Sequence, residues 1–174
     1  MGKGLTRKTK PTRGNIERTT SQKTMSTRLL EIAKKAETDK TYRYQDLSRE
    51  LTEEFLTDCW RTLRRDAACG VDQVTAADYQ ENLQENIQAL VGRLKEGRYR
   101  AQMIRRKWIP KGTDPAKRRP LGIPVTEDKL LQKAVARILG MIYEPRFCRL
   151  SYGYRPGMGA RDAVRFLTRK LQFG

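Results

Sequence analysis

The sequence predicts an α+β fold in which helices surround a small antiparallel sheet. Apolar residues recur at helical spacing within residues 28–97, 126–142 and 160–171, which is typical of amphipathic helices. Residues 100–110 alternate in character instead, and residues 120–124 form an apolar segment with proline at both ends, which favours a pair of strands. At 174 residues, 37% of them apolar, the chain has room for one lean core.

The first helices have recognisable start and stop signals. A short helix is predicted over residues 28–37. Thr52 is placed to cap a second helix, which we expect to end near Ala68. Thr75 begins a capping-box-like pattern and starts a third helix, and Gly97 ends it.

The later elements follow from the change in pattern. Residues 100–110 predict a strand, residues 111–118 a loop, and residues 120–124 a short edge strand. Thr126 is expected to cap the next helix, whose first turn is acidic. A final helix is predicted from about residue 160 to residue 171.

The chain divides into three regions by composition. Residues 1–27 contain almost nothing to bury and are predicted to be a disordered basic arm. Residues 28–97 are predicted to form a helical N-terminal extension. Residues 98–174 contain the predicted sheet and the two last helices.

The net charge of +17 is concentrated in blocks. Eight basic residues and one acid give +7 in residues 1–30, and the same numbers give +7 in residues 100–119. Residues 146–170 carry +6, from seven basic residues and one acid, whereas residues 31–96 carry −4, from ten basic and fourteen acidic residues. Any single basic block is as consistent with a solvated surface as with a binding site, but three such blocks favour a nucleic-acid partner. A membrane is not favoured, because the sequence has no long apolar run and no amphipathic helix with a clean basic face.

The cysteine and histidine content excludes several kinds of site. Cys59, Cys69 and Cys148 fit no metal or disulfide spacing, and we expect reduced thiols, with Cys59 in a helix core. The absence of histidine excludes a Cys/His zinc site and a histidine base. No secretory signal opens the chain, so a cytoplasmic location is expected.

The predicted hairpin carries the candidate phosphate ligands. Lys111 and Arg119 flank its loop, so we expect them to lie near each other. A mobile ammonium and a planar guanidinium suit the growing negative charge of a triphosphate. Taken alone, a basic hairpin is more often a non-specific surface. The other hairpin cations are candidates for RNA contact: Arg105, Arg106, Lys107, Lys117 and Arg118.

The segment 151–157, Ser-Tyr-Gly-Tyr-Arg-Pro-Gly, is a second candidate for contact with a nucleic-acid backbone. Its glycines allow close backbone approach, and Arg155 lies between them. Tyr152 and Tyr154 either stack on exposed bases or belong to the core, and the sequence does not decide between these alternatives.

Several short segments occur along the chain in a specific order and spacing. They are Ile109-Pro110-Lys111, Arg119-Pro-Leu-Gly-Ile-Pro124, Asp128-Lys129 with Gln132, Glu144 with Phe147, Ser151–Gly157, Ala160-x-Asp162-Ala163 and, upstream, Gly70-Val-Asp72-x-Val-Thr75. Together they resemble the finger region of group II intron reverse transcriptases. The resemblance covers roughly residues 45–172. It implies that residues 98–174 are the fingers of a right-hand polymerase, with the chain ending before the palm.

The resemblance also implies an activity and its partners. The implied activity is RNA-directed DNA polymerisation, with Mg²⁺ in the full-length enzyme, and it serves retrohoming of the intron into DNA. The implied partners are intron RNA, which the protein helps to splice, and an RNA template with a DNA primer. The implied location is a bacterial-type cytoplasm. It assigns the dNTP phosphates to Lys111 and Arg119, and the template to Arg155. The loop between Lys111 and Arg119 is about two residues longer than the family pattern. Arg118 is therefore an alternative to Arg119 as the dNTP ligand.

The metal-binding aspartates of that family follow the last helix of this sequence. We therefore expect no catalytic or metal-binding residue in this chain and no polymerisation by it alone. Asp72, Asp114, Asp128 and Asp162 are instead expected to form caps and turns. Two alternatives stay open: a stand-alone RNA-binding fragment that assists splicing, and a structural basic protein of ribosomal type.

Overall fold

The computed structural model describes residues 27–112 and 114–173, which form two compact units, residues 27–146 and residues 147–173. The predicted arm therefore lies, apart from Thr27, outside the described residues. The first unit contains helices α1 (Thr27–Thr38), α2 (Glu53–Arg61), α3 (Ala76–Glu81), α4 (Leu83–Lys95) and α5 (Thr126–Tyr143), strands β1 (Arg105–Lys111) and β2 (Asp114–Ile123), and 3₁₀ turns at Leu47–Glu50 and Glu144–Arg146. The second unit contains α6 (Ala160–Phe173).

Helix α5 is the centre of the first unit. It packs against α1, α2 and α3, while α4 packs against α2. The buried side chains come from all five helices and include Leu29, Leu56, Cys59, Trp60, Ile87, Leu90, Leu130, Ala134 and Ile138. Cys59 lies in this core, as predicted, and its burial raises the pKa of the thiol. None of the described helices is long and apolar enough to cross a bilayer.

Helix α2 begins as predicted but ends earlier. The Thr52 hydroxyl accepts the Phe55 N–H at 3.2 Å, which confirms the predicted cap. The helix ends at Arg61 rather than near Ala68. Two lysines of α5 donate to backbone carbonyls of the following segment, Lys133 to Thr62 and Lys129 to Ala68. Tertiary hydrogen bonds therefore replace those that a longer helix would have supplied.

The predicted third helix is two helices. Thr75 and Asp78 form a reciprocal capping box at the start of α3, as the sequence indicated. The helix breaks at Asn82, where the Asn86 amide donates to the Tyr79 carbonyl at 3.1 Å. Gly97, at φ 67°, ends α4, as predicted.

The sheet is a single antiparallel ribbon of β1 and β2. Strand β1 begins at Arg105 rather than at residue 100 and is shorter than predicted, whereas β2 is longer than predicted. Residues 111–118 were expected to be a loop, but β2 begins at Asp114 and the turn contains Gly112 at φ 67°. Prolines fit within β2 because each strand of a two-stranded sheet has an unpaired edge. The α+β class with an antiparallel pair is confirmed, while its assignment as polymerase fingers stays a prediction.

The ribbon joins the helices at the start of α5. Gly70 lies so close to Val125 that a Cβ on Gly70 would be 2.5 Å from the Val125 Cα. Thr126 does not cap α5 as predicted; its hydroxyl donates to the Val74 carbonyl at 2.7 Å. The buried carboxylate of Asp128 accepts the Gln102 N–H at 3.1 Å, just before β1.

This junction gives a test of the fold. Gly70→Ala is expected to destabilise the chain by about 1–3 kcal/mol, because the added methyl meets backbone atoms that cannot rotate away. Gly92→Ala is the matched control: no atom lies within 4 Å of the added Cβ, and alanine favours the α4 helix. Urea unfolding measures both. Equal stability of the two variants would contradict the close approach.

Candidate nucleic-acid interface

The ribbon register fixes which candidate residues lie opposite one another. It pairs Arg105 with Ile123, Arg106 with Gly122, Lys107 with Leu121, Trp108 with Pro120, Ile109 with Arg119, Pro110 with Arg118 and Lys111 with Asp114. The regular pairing is interrupted between Pro110 and Lys111, where β2 has extra residues. Lys111 and Arg119 are therefore not direct partners, contrary to the simplest interpretation of a short hairpin loop.

Side chains alternate between the two faces of a strand, and directly opposite residues share a face. The face that we call the Arg119 face carries Arg105, Lys107, Ile109, Arg119, Leu121 and Ile123. The other, the Trp108 face, carries Arg106, Trp108, Pro110, Arg118, Pro120 and Gly122. The alternation along β1 puts Lys111, two residues beyond Ile109, on the Arg119 face.

The two faces differ in burial. Ile123 is buried and Arg105 and Ile109 are half-buried, so the Arg119 face is partly covered near the base of the ribbon. The described side chains of the Trp108 face are exposed along its whole length. Candidate cations Lys107, Lys111, Lys117, Arg118 and Arg119 are exposed as well.

Three arginines of the helices are paired with carboxylates, whereas six cations of the ribbon are not. Arg28, Arg93 and Arg137 each form an ion pair with a carboxylate, at 2.8 Å to Glu50, 2.6 Å to Glu127 and 2.5 Å to Asp58. No ion pair among the described residues involves the following six ribbon cations: Arg105, Arg106, Lys107, Lys111, Arg118 and Arg119. The ribbon is thus a concentrated, uncompensated positive charge, which suits a polyanion.

The base of the ribbon is held by a buried polar contact. The Tyr99 hydroxyl donates to Asp128, which also accepts the Gln102 N–H. Burial and then the hydrogen bond to Asp128 raise the pKa of the Tyr99 phenol. Asp128 therefore positions β1 and is not directed to a ligand.

The segment 151–157 belongs to the other unit. The Arg155 guanidinium donates to the carbonyls of Ser151 at 2.9 Å and Cys148 at 3.2 Å, and lies 5.2 Å from the centre of the Phe147 ring. Tyr154 is fully exposed and has φ 57°, so it is not a core residue. The Tyr152 ring is 6.3 Å from the Phe166 ring. Template contact by Arg155 and Tyr154 stays a prediction.

The carboxylates have structural roles where the structure describes them. Asp72 accepts the Val74 N–H at 3.2 Å, and Asp162 accepts the Gly159 N–H at 3.0 Å at the start of α6. The Asp114 side chain lies outside the described residues. Within the described part of the chain, no three acidic or cysteine side chains converge as metal ligands would.

Comparison with known proteins gives relatives but no match to a protein-family model. A stretch of 105 residues is 42% identical to the group II intron-encoded protein LtrA of Lactococcus lactis, covering 60% of this chain and 16% of that protein. A stretch of 145 residues is 39% identical to protein YkfC of Escherichia coli K12, covering 81% of this chain and 37% of that protein. A stretch of 52 residues is 36% identical to nuclear intron maturase 3, mitochondrial, of Arabidopsis thaliana, covering 30% of this chain and 7% of that protein.

The chain is a relative of the group II intron-encoded proteins. This confirms the resemblance drawn from the finger segments. The chain spans about a sixth of the length of the Lactococcus relative and over a third of the Escherichia one. Two of the segments on which the resemblance was drawn have structural roles in this chain: the Gly70 segment lies against Val125, and Asp128 holds the base of the ribbon.

Sequence reasoning missed Trp108 as a surface residue. Its position in an alternating strand is equally consistent with core and with solvent, because exposure depends on what covers the sheet. In the structure its side chain is 53% exposed in the middle of the ribbon. The one signal in the sequence was its position after three consecutive cations, at residues 105–107.

The uncompensated ribbon charge predicts a contrast in stability. Arg118→Gln and Arg119→Gln are each expected to change the free energy of unfolding by less than about 0.5 kcal/mol, because neither residue forms an ion pair with a described carboxylate. Arg137→Gln is expected to cost about 3 kcal/mol, because it removes the guanidinium from the largely buried Asp58 carboxylate. Thermal and urea unfolding measure all three. A ribbon variant as damaging as Arg137→Gln would contradict the proposal that these cations serve a partner.

Proposed function

We propose that this chain is the RNA-gripping, nucleotide-positioning part of a group II intron reverse transcriptase or maturase. The observation that carries the proposal is the set of six ribbon cations without an ion pair among the described residues. Its relatives add support, since they are named for group II introns and intron maturases. The partners in this proposal are intron RNA, an RNA template with its DNA primer, and a dNTP.

The register favours Arg119 over Arg118 as the dNTP ligand. Alternation along β1 puts Lys111 on the Arg119 face, whereas Arg118 is on the opposite face. A guanidinium fork and an ammonium on one face can contact the same phosphate chain from two sides. Arg118 is then free to contact RNA, with Arg106 on the same face.

A stand-alone RNA-binding protein that assists splicing is the second candidate. The ribbon charge supports it equally, because counterion release needs only cations and phosphates. The two candidates differ in dNTP use: only a polymerase needs Lys111 and Arg119 to act on one small ligand. Polymerisation with Mg²⁺ is proposed only for a protein that also carries the metal-binding carboxylates.

RNA binding by this chain is the first test. If the chain neutralises six to ten phosphates, its affinity for RNA is expected to fall by roughly 10³–10⁵ between 50 and 200 mM salt. Arg118→Gln is expected to weaken binding and to reduce the salt slope by about one. Arg64→Gln is the matched control, since Arg64 is already paired with Asp66 at 2.6 Å. An affinity that does not change with salt would overturn the proposal.

The dNTP role needs a polymerase-competent protein that contains this chain. Arg119→Gln in that protein is expected to raise the Michaelis constant for dNTP about tenfold or more, because a charge-assisted hydrogen bond to phosphate is lost. Arg118→Gln is expected to leave that constant within about twofold while weakening template binding. Steady-state primer extension on an RNA template measures both. The reverse result would assign the dNTP to Arg118, and no effect from either variant would overturn a dNTP role for this ribbon.

A further inference from the structure

The Trp108 face has a feature that phosphate binding alone does not require. Trp108 stands in the middle of this face with 53% of its side chain exposed. Its direct partner across the ribbon is Pro120, and the diagonal neighbour Gly122 has no side chain. A large indole therefore lies on a ribbon face that no described helix packs against extensively.

A comparison of the two tryptophans separates a structural role from an unexplained one. Trp60 is buried, its indole N–H donates to Gln80, and its ring lies 5.1 Å from the Tyr79 ring. No hydrogen bond, ring contact or cation–π contact of the Trp108 side chain occurs among the described residues. Exposing a large aromatic ring to water without such contacts costs hydrophobic free energy, which a ligand would recover.

The surroundings of Trp108 indicate the chemistry of that ligand. On the same face, Arg106 lies two residues before it and Arg118 lies diagonally across from it, opposite Pro110. Neither arginine forms an ion pair with a described carboxylate. An aromatic ring between two such guanidinium groups is suited to a ligand with a flat π-system and a flanking anion on either side. Unpaired nucleotides have this composition, with bases that stack on aromatic rings and phosphates that bind cations.

We propose that Trp108 stacks on an unpaired base of bound RNA, while Arg106 and Arg118 contact the neighbouring phosphates. This inference rests on the proposed RNA-binding function and adds a base contact on the ribbon face opposite Arg119. A protein partner is less suited to the patch. Docked apolar surfaces exclude charge from their centre, whereas Arg106 and Arg118 flank Trp108 on this face.

The test separates base stacking from phosphate contact. The chain and its variants are titrated with a short unstructured RNA and with an abasic oligonucleotide of the same phosphate number. Trp108→Ala is expected to weaken RNA binding about five- to a hundredfold and to leave abasic binding unchanged, because only the base is lost from the contact. Trp108→Phe keeps an aromatic ring and is expected to retain most of the affinity. Leu121→Ala, an exposed apolar truncation on the other face, is the matched control.

Fluorescence gives an independent readout that does not depend on affinity. The chain has two tryptophans, and Trp60 is buried. RNA stacking on Trp108 is expected to quench the emission of the unchanged chain. In Trp108→Phe the emission comes from Trp60 alone and is expected to stay constant on saturation with RNA.

Each outcome has a distinct meaning. Weakening of RNA and abasic binding by the same factor, or RNA affinity unchanged in Trp108→Ala, would overturn base stacking and leave RNA binding by the cations intact. Unchanged affinity together with a loss of protein association would assign the face to a protein partner. Failure of the unchanged chain to bind either oligonucleotide would overturn the proposed function itself, which the salt titration detects separately.

Discussion

The close approach of Val125 to Gly70 is the constraint on which the arrangement of the ribbon depends. A side chain at residue 70 would occupy the position of the Val125 backbone. The same junction contains the Thr126 bond to Val74 and the Asp128 bond to Gln102. A two-stranded ribbon is only marginally stable by itself, so its position depends on this anchorage at its base.

The charge distribution separates the part that folds from the part that binds. Helix arginines such as Arg93 and Arg137 lie against carboxylates, which removes most of their repulsion and ties helices together. Six of the ribbon cations (Arg105, Arg106, Lys107, Lys111, Arg118 and Arg119) form no ion pair with a described carboxylate, and the ribbon has few contacts with the helices. Repulsion among the ribbon cations is tolerated because little of the core depends on the ribbon. Phosphates that bind to these cations relieve the repulsion.

Local signals in the sequence were sufficient to predict helix caps but not the features that depend on tertiary contacts. The Thr52 cap and the Thr75–Asp78 box use only neighbouring residues, and both were predicted. The early end of α2 depends on Lys133, which is some seventy residues away in sequence, and no local pattern reports it. Strand β2 was predicted too short because the outer part of the ribbon is exposed on both faces, so apolar alternation, the usual strand signal, is lost there. The candidate cations could be chosen by residue type, but assigning them to faces needed the register.

The register also explains why a longer loop between Lys111 and Arg119 does not change the ribbon face on which Arg119 lies. A slip of one residue would move Arg119 to the Trp108 face, so the register must be fixed strongly somewhere along the ribbon. It is fixed at the base, where Ile123 is buried and Gly122 lies so close to the Ile104 side chain that a Cβ would be 2.8 Å from it. The irregularity lies at the other end, between Pro110 and Lys111. Extra residues near the turn therefore change the tip of the ribbon without changing the face to which Arg119 belongs.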